Sequence, residues 1–162
     1  MILGCQKSGT TSLYEYLNQY PLIIRAKRRE THCLDWRFPV DQNVEEQRKH
    51  CLSFYYYEEL QNHPSLLTGD STPSYILHPD LVIPRIKLVF SDAWHDLKFF
   101  VMLRDPVKRC FSHYQMVTSE DGTEEQKINQ GPDWQNKTFE EVINEDFSFN
   151  ASNCDSSFSR GC

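Results

Sequence analysis

The sequence predicts an α/β fold with a central parallel sheet, and three observations support this prediction. Met1 to Leu3 is a short apolar strand that leads through a glycine-containing loop into a helix beginning near Thr10. The apolar run from Leu97 to Leu103 has the composition of a buried parallel strand. A helix signal follows that run at once, because Asp105 can cap a helix and Pro106 suits its first turn. Alternating strands and helices are typical of parallel α/β sheets.

The first two helices follow from spacing and capping signals. An apolar stripe at i, i+3, i+4 and i+7 predicts that the first helix runs up to Pro21, and it comprises Leu13, Tyr16, Leu17 and Tyr20. A second helix is predicted over residues 44–60, because Asn43 and Glu46 have the spacing of a capping box. Leu66 to Thr68 is a candidate for a short buried strand that ends at Gly69.

The second half of the chain is predicted to be mainly helical. The helix after Asp105 continues as an apolar stripe of Val107, Cys110, Phe111, Tyr114 and Val117. Residues 119–136 are polar and contain two glycines and a proline, so they are predicted to form a loop. Thr138 and Glu141 then have the spacing that caps one more short helix.

Composition is that of a globular protein and predicts a single domain over residues 1–162. Hydrophobic residues make up 39% and charged residues 25%, with a net charge of −6. This acidic balance provides no general attraction for nucleic acid or for a membrane surface. The exception is local: a basic cluster, which charge alone assigns to a solvated surface, comprises Arg25, Lys27, Arg28 and Arg29.

Other whole-chain signals exclude some classes and favour a secretory compartment. No run of 18 apolar residues is present, so no bilayer-spanning segment is predicted. The six cysteines are too scattered for a zinc site, and no metal is expected. Two glycosylation sequons, at Asn136 and Asn150, indicate passage through the secretory pathway.

The loop after the first strand has the features of a phosphate cradle. It comprises Gly4, Cys5, Gln6, Lys7, Ser8, Gly9, Thr10, Thr11 and Ser12. Backbone N–H groups and the helix dipole at such a junction attract an anion. A nucleotide kinase loop of the GxxxxGK[ST] type needs lysine where Thr10 stands, whereas this lysine lies earlier, at Lys7. The remaining alternative is an ordinary Gly/Ser/Thr loop with an exposed lysine.

The segment from Lys7 to Ser12 resembles the 5′-phosphosulfate loop of sulfotransferases that use 3′-phosphoadenylyl sulfate (PAPS). The likeness is to the heparan sulfate N- and 3-O-sulfotransferase type and related carbohydrate enzymes. It implies a P-loop-type fold of three layers, in which helices flank the sheet. It also implies that Lys7 stabilises the leaving phosphate and that donor binding involves Ser8, Gly9, Thr10, Thr11 and Ser12. PAPS is then the co-substrate and no metal is required.

A second motif follows the second apolar strand, in the form RDPxxRxxSxY from Arg104 to Tyr114. Arginine binds phosphate through two parallel hydrogen bonds, although spacing alone favours a surface ion pair of Arg104 with Asp105 and an incidental Ser112. The motif resembles the family's 3′-phosphate segment. That resemblance assigns Arg104 and Ser112 to the 3′-phosphate of the donor.

A third segment supplies a candidate base. Sulfuryl transfer requires a group that takes a proton from the acceptor, and Glu30 can do so unless it is merely paired with Arg28 or Arg29. The segment around it resembles the family's K-E-x-H-F-F-D, which implies that Glu30 is the catalytic base and that Asp35 shares its site. His32 is interpreted as structural. Residues 69–75 resemble the family's G-E-K-T-P-x-Y, with Ser71 in place of a lysine near the acceptor.

The resemblance also predicts the biological setting. It implies a carbohydrate acceptor, most simply a polysaccharide, and no nucleic-acid partner. Relatives are Golgi enzymes held by a membrane anchor, so the Golgi lumen is expected, with the anchor and a C-terminal half lying outside these 162 residues. An inactive fragment or a relative that binds PAPS or glycan without turnover is the main alternative, and a P-loop nucleotide kinase is a weaker one.

The cysteines divide into two groups. Cys5 lies in the phosphate loop and Cys110 on the apolar face of a helix, so both are predicted to remain thiols. Cys154 and Cys162 lie in a polar tail, and these two are the more favourable candidates for disulfide bonds, either with each other or with cysteines outside these 162 residues.

Overall fold

A computed structural model describes residues 1–119 and 132–152, with side chains over residues 1–119 and 134–145. The strands are β1 (Ile2–Gly4), β2 (Ile23–Arg25), β3 (Leu67–Gly69) and β4 (Phe100–Val101). The α-helices are α1 (Thr10–Leu17), α2 (Val44–Leu52), α3 (Tyr57–Asn62), α4 (Pro79–Phe90), α5 (Pro106–Thr118) and α6 (Phe139–Ser152). Short 3-10 helices span Pro73–Leu77, Ser91–Asp96 and Pro132–Asn136. The chain divides into two compact units, Met1–Leu103 and Arg104–Cys162.

All strand pairs of the first unit are parallel. β1 pairs with β4, β2 pairs with β3, and a single parallel bridge between Ile2 and Ser71 joins the two pairs. The Ile2 N–H donates to the Asp70 carbonyl at 3.0 Å, and the Thr72 N–H donates to the Ile2 carbonyl at 3.1 Å. The strands therefore follow one another in the order β2, β3, β1, β4. The prediction of an α/β fold with parallel strands is confirmed.

The hydrophobic core of this unit lies beside the strands. It is built from the turn at residues 31–35, from α2 and from α4, and its buried members are Cys33, Leu34, Cys51, Tyr75, Val82, Ile86 and Val89. The Arg85 guanidinium on α4 donates to the backbone carbonyls of Leu34 (3.0 Å) and Asp35 (2.8 Å). Core packing and these two bonds together fix the turn that carries the candidate base.

Three helices begin with the side-chain caps that the sequence predicts. Asn43 accepts from the Glu46 N–H at 3.0 Å, and Asp105 accepts from the Lys108 N–H at 2.9 Å. Thr138 and Glu141 form a reciprocal cap: the Thr138 N–H donates to the Glu141 carboxylate at 2.7 Å, and the Glu141 N–H donates to the Thr138 hydroxyl at 3.3 Å.

Other sequence expectations about the elements were wrong. α1 ends at Leu17 and buries Thr10 and Tyr14, while Tyr16 and Tyr20 are exposed. The cause is tertiary: the Tyr14 hydroxyl accepts from the buried Ala26 N–H at 3.1 Å, which turns a different face inward. The helix expected over residues 44–60 is two helices, α2 and α3.

The two expected buried strands are both short and exposed. Leu67 in β3 is 62% exposed, and Phe100 and Val101 in β4 are 42% and 48% exposed. β4 is the last strand in the order of the described sheet, so it is an edge strand instead of a central one. An apolar run is buried on both faces only where other elements cover it, and within the described residues this run is not covered.

The second unit is organised around α5. The buried residues of this helix are Cys110, His113 and Val117, whereas Val107 of the expected stripe is exposed. The His113 ring meets the Trp134 ring edge-on at 5.8 Å, and the Tyr114 hydroxyl donates to the Lys137 carbonyl at 2.8 Å. Residues 132–136 of the expected loop are a 3-10 helix, and residues 120–131 lie outside the described range.

Candidate functional site

The loop after β1 is fixed where two neighbouring strands end. The Cys5 N–H donates to the Met102 carbonyl at 2.8 Å, and the Met102 N–H donates to the Gly4 carbonyl at 2.7 Å. Lys7 and Gly9 both have left-handed backbones, with φ of 66° and 91°. A non-glycine residue at positive φ is unfavourable and occurs most often where a particular loop shape is needed. The loop shape is thus specified at the residue that carries the amine.

The end of this loop can accommodate an anion. Gly9 precedes the first turn of α1, and that turn contains no acidic residue and has no side-chain cap. The N–H groups that open the helix are therefore available to a ligand. The Ser8 hydroxyl oxygen is buried and has no hydrogen-bond partner among the described residues. A buried hydroxyl without a partner beside an uncapped helix start fits an oxygen-rich anion such as a phosphate or sulfate group.

The remaining loop residues differ in their exposure. Thr10 is buried, whereas Thr11 and Ser12 are exposed on the first turn of α1. A Cβ atom built on the exposed Gly9 would meet only the Met102 side chain, at 3.5 Å. The backbone at Gly9 therefore remains open to close approach by a ligand.

Glu30 lies on the turn after β2 and is accessible. One carboxylate oxygen accepts from the Arg29 guanidinium at 2.7 Å, and the other lies 3.8 Å from Nε2 of His32. The pairing with Arg29 that the sequence allowed is therefore present. The side chain nevertheless remains 35% exposed, so a ligand can reach the carboxylate.

Asp35 belongs to the same cluster but is enclosed. Its side chain is 4% exposed, and Oδ2 lies 3.1 Å from Nδ1 of His32 and accepts from the Ser74 hydroxyl at 2.5 Å. Oδ1 accepts from the Trp36 N–H at 2.7 Å. Both oxygens are thus engaged within the protein, which suits a group that orients His32 better than one that meets a substrate.

The charges of the cluster are coupled. Burial works against the charged form of His32, but its contacts with Asp35 and Glu30 raise the pKa of the imidazole to about 9. The His32 imidazolium and the Arg29 guanidinium lower the pKa of Glu30 against the opposing effect of burial. Burial likewise opposes ionisation of Asp35, yet bonds from His32 and Ser74 lower its pKa. Near neutral pH the cluster therefore contains two carboxylates and one imidazolium, so His32 cannot accept a proton there.

A buried network holds this turn in place. Asp70 is fully buried, and its Oδ2 accepts from the hydroxyls of Thr31 (2.6 Å), Thr72 (2.9 Å) and Tyr75 (3.3 Å). The Thr72 hydroxyl in turn accepts from the Thr31 N–H at 3.1 Å. Burial raises the pKa of Asp70. The residue that precedes Thr31 is Glu30, so the network fixes the backbone next to the candidate base.

The same segment connects the base to the phosphate loop. Residues 70–72 bond to Ile2 of β1 on one side, and on the other side the Ser71 N–H donates to the Arg29 carbonyl at 2.8 Å. The strand that leads into the phosphate loop and the turn that carries Glu30 are therefore held on either side of one three-residue segment. The first unit thus contains Lys7, Ser8, Gly9, Glu30 and Asp35.

Arg104 and Ser112, the two residues predicted to bind the 3′-phosphate of PAPS, belong to the second unit. Arg104 is exposed and immediately precedes Asp105, the cap of α5, while Ser112 is half-buried within α5. The structure places both residues at the start of this helix and its second turn, and their roles toward the donor stay predictions.

The basic cluster after β2 is largely engaged by local partners. Arg25 pairs with Glu15, Lys27 donates to the Ser53 carbonyl at 3.0 Å, and Arg29 pairs with Glu30. Three of its four charges therefore contact groups of the chain itself.

Sequence reasoning missed the partners of the base turn. His32 was interpreted as structural, yet it contacts both carboxylates, and Ser74 and Asp70 were given no role. Ser74 and Asp70 lie 39 residues from their partners Asp35 and Thr31. The one available signal was the second motif at residues 69–75, whose polar residues are the ones that bond to the turn.

Comparison with known proteins identifies the family. The sulfotransferase family matches residues 1–146. The chain belongs to the sulfotransferase family. It is 34% identical over 116 residues to the membrane-associated sulfotransferase kil1 of Dictyostelium discoideum. It is 29% identical over 117 residues to the human heparan sulfate glucosamine 3-O-sulfotransferase 5, and 30% identical over 123 residues to the human 3-O-sulfotransferase 3B1.

These matches cover most of this family member but a minor part of each relative. They span 70%, 72% and 74% of the chain, and 22%, 30% and 26% of the three relatives, respectively. No solved structure matches the chain. Among the described residues, no helix has the length and apolar character needed to cross a membrane, and no cluster of His, Cys, Asp or Glu is arranged to hold a metal ion.

Proposed function

We propose that this sulfotransferase family member transfers a sulfuryl group from PAPS to a hydroxyl or amine of a carbohydrate acceptor. The observation that carries the proposal is that two features are held on either side of residues 70–72. One is β1 with the loop that follows it, which can accept an anion, and the other is the turn with the accessible carboxylate of Glu30. Membership of the family supports group transfer of sulfate, and the names of the heparan sulfate relatives favour a polysaccharide acceptor.

Glu30 is the proposed general base. Its lowered pKa keeps the carboxylate ionised at neutral pH, and its exposure lets an acceptor approach. His32 is protonated in that range, so it is assigned to orienting Glu30 and balancing its charge. Asp35 is proposed to fix the His32 ring from the buried side.

Lys7 and the N–H groups at the start of α1 are proposed to stabilise the charge that develops on the leaving phosphate. Preorganised donors of this kind act most strongly where charge grows in the transition state. PAPS would supply the sulfuryl group, with Ser8, Gly9, Thr10, Thr11 and Ser12 cradling its 5′-phosphosulfate end. Arg104 and Ser112 are proposed to bind its 3′-phosphate, and no metal is invoked.

The site's setting is proposed from the same relatives. A kinship with heparan sulfate and membrane-associated sulfotransferases favours the secretory pathway, and we place the protein in the Golgi lumen. The two glycosylation sequons are consistent with this location.

Donor binding tests the proposal. Adenosine 3′,5′-bisphosphate should raise the thermal unfolding midpoint of the protein, and ATP with magnesium at equal concentration should raise it much less. Arg104→Ala should weaken bisphosphate binding by about 2–3 kcal/mol, and Ser112→Ala by about 1 kcal/mol.

Three outcomes would separate the alternatives. Equal stabilisation by magnesium–ATP would contradict the PAPS assignment and favour a nucleotide kinase. Bisphosphate binding without sulfate transfer to any glycan would identify a non-catalytic relative. If Arg104→Ala and Ser112→Ala both bind the bisphosphate like wild type, neither residue binds the 3′-phosphate.

A further inference from the structure

The turn that carries Glu30 also carries a pair of side chains with no role in the mechanism, the exposed Trp36 and the half-buried Arg37. Trp36 follows Asp35 directly, and its side chain is 59% exposed, an unusual state for so large an apolar group. The Arg37 guanidinium carbon lies 4.3 Å from the centre of the Trp36 ring. We call these two residues the Trp36–Arg37 stack.

The stack is held against the candidate base through His32. The Trp36 ring centre lies 5.0 Å from the His32 ring centre, and Nε2 of His32 lies 3.8 Å from the Glu30 carboxylate. The Arg37 N–H also donates to the His32 carbonyl at 3.1 Å. The Trp36 ring is therefore separated from Glu30 by one side chain, that of His32, and the Arg37 guanidinium lies on the Trp36 ring.

The charge of Arg37 has no anionic partner in the described part of the chain. Three other arginines near the site are engaged: Arg25 with Glu15, Arg29 with Glu30, and Arg85 with two backbone carbonyls. Among the described residues, the Arg37 guanidinium makes no hydrogen bond or ion pair, and it lies over the face of the indole ring. Stacking restricts the guanidinium to one orientation while leaving its N–H groups free to bind a carboxylate or sulfate in bidentate fashion.

We propose that the Trp36–Arg37 stack is a subsite for an acidic sugar next to the sugar that receives the sulfuryl group. The exposed part of the indole packs against the C–H face of a pyranose ring, whose polarised hydrogens are attracted to the aromatic face. Arg37 binds the carboxylate of a uronic acid. The subsite rests on the proposed function for its biological use, and it defines a preference for acidic over neutral glycans.

The experiment measures glycan binding by the full chain in the absence of any donor. The probes are a uronate-containing octasaccharide and the same octasaccharide after reduction of its carboxylates to alcohols. Wild type should bind the acidic form about tenfold more tightly, as expected for one charge-assisted bidentate contact. Arg37→Ala should lose that tenfold preference. Trp36→Ala should weaken binding of both forms, and Trp36→Phe should restore most of it.

Two matched controls exclude general surface effects. Lys49→Ala removes one exposed positive charge from α2, and Tyr57→Ala removes one half-exposed aromatic ring from α3. Both should bind the octasaccharides like wild type. Unfolding midpoints of all variants identify any that fail to fold, and the Trp36→Phe and Arg37→Lys proteins then carry the comparison.

The outcomes distinguish the subsite from the proposed function. If Arg37→Ala and Trp36→Ala bind both octasaccharides like wild type, or wild type does not distinguish the two, the subsite is wrong even where donor binding and turnover are normal. If the acidic octasaccharide binds through the stack but the protein neither binds adenosine 3′,5′-bisphosphate nor transfers sulfate, the subsite stands and the sulfotransfer proposal fails.

Discussion

At the scale of single residues, the chemistry depends on which groups are exposed and which are enclosed. Glu30 and Asp35 are both carboxylates on one turn, yet Glu30 is 35% exposed and Asp35 is 4% exposed. The same ionised group can meet an acceptor in one position and only orient a neighbour in the other. The sequence grouped both as catalytic, and their unequal burial is what separates their proposed roles.

Substitution of Lys7 and of Glu30 should separate their roles. Lys7→Ala and Glu30→Gln should each reduce sulfate transfer by about 100-fold or more, the usual effect of losing one charge stabiliser or one general base. Glu30→Gln should keep near-normal affinity for adenosine 3′,5′-bisphosphate, whereas Lys7→Ala should lose part of it. Steady-state rates and a binding titration measure the two effects. Wild-type turnover by Glu30→Gln would remove Glu30 as the base.

The His32 cluster predicts a loss of stability at alkaline pH. Because folding raises the pKa of His32 from about 6.5 to about 9, its contribution is fully present below pH 6.5 and is lost as pH rises to about 9. Wild type should lose up to about 3 kcal/mol of unfolding free energy over that range from this residue, since one pKa unit corresponds to about 1.4 kcal/mol. Urea unfolding at several pH values measures it. His32→Gln should lack this part of the decline, and parallel curves for the two proteins would contradict the assignment.

At the scale of elements, the ends of the strands determine where the chemistry lies. β1 leads into the loop predicted to bind phosphate, and β2 leads into the turn with Glu30. β3 leads into residues 70–72, which bond to β1 on one side and to the turn on the other. Parallel strands bring their carboxyl ends to one edge of a sheet, so three short strands assemble the site. The loops contribute the candidate site residues and the strands fix their positions.

The end of β1 predicts a specific requirement for glycine. Gly4 has φ of 154°, and a Cβ atom there would lie 2.6 Å from Cγ2 of Ile76 and 2.9 Å from the Pro73 carbonyl oxygen. Gly4→Ala should therefore destabilise the fold by about 2–3 kcal/mol through strain and overpacking. Chemical unfolding measures the change.

Gly69→Ala provides the matched control for this substitution. A Cβ atom at Gly69 would have its nearest contact at 3.8 Å, which is ordinary packing distance. Its effect should stay within about 1 kcal/mol, because alanine is at least as favourable as glycine in a strand. Equal effects at Gly4 and Gly69 would show that the close contacts at Gly4 are relieved without energetic consequence.

At the scale of the whole molecule, the proposed Golgi location predicts a carbohydrate modification. Asn136 is exposed at the end of a 3-10 helix and begins the sequon that continues to Thr138. When the protein is secreted from eukaryotic cells, it should carry an N-glycan at Asn136. The measurement is its mass, which should fall on treatment with peptide N-glycosidase. Asn136→Gln should remove it and leave Thr138 to cap α6. An unmodified Asn136 in secreted protein would count against the location.

The oxidation state of the cysteines also depends on the whole molecule. Cys5 is half-buried in the phosphate loop and Cys110 is buried on α5, as the sequence suggested. Cys154 and Cys162, the candidates for a disulfide bond, lie outside the described residues. Their pairing stays a prediction.

The sequence by itself determined the family, the α/β class, the helix caps at Asn43, Asp105 and Thr138, and the position of the glycine-containing loop between β1 and α1. Each cap and the loop are encoded within about a dozen neighbouring residues, where spacing and backbone preference suffice, and the family and class follow from several such segments in order along the chain. It did not determine which face of α1 is buried, because that depends on the contact of Tyr14 with Ala26 across the fold.

Tertiary structure alone decided how the base turn is held and charged. The partners of Thr31, Leu34 and Asp35 are Asp70, Arg85 and Ser74, which lie 39 to 51 residues away in the chain. Burial and the contacts among Arg29, Glu30, His32 and Asp35 set the pKa values of the cluster, and the long-range hydrogen bonds hold the turn that brings these groups together. The sequence could therefore name the candidate site residues, but only the folded chain could distinguish the accessible carboxylate of Glu30 from the enclosed one of Asp35.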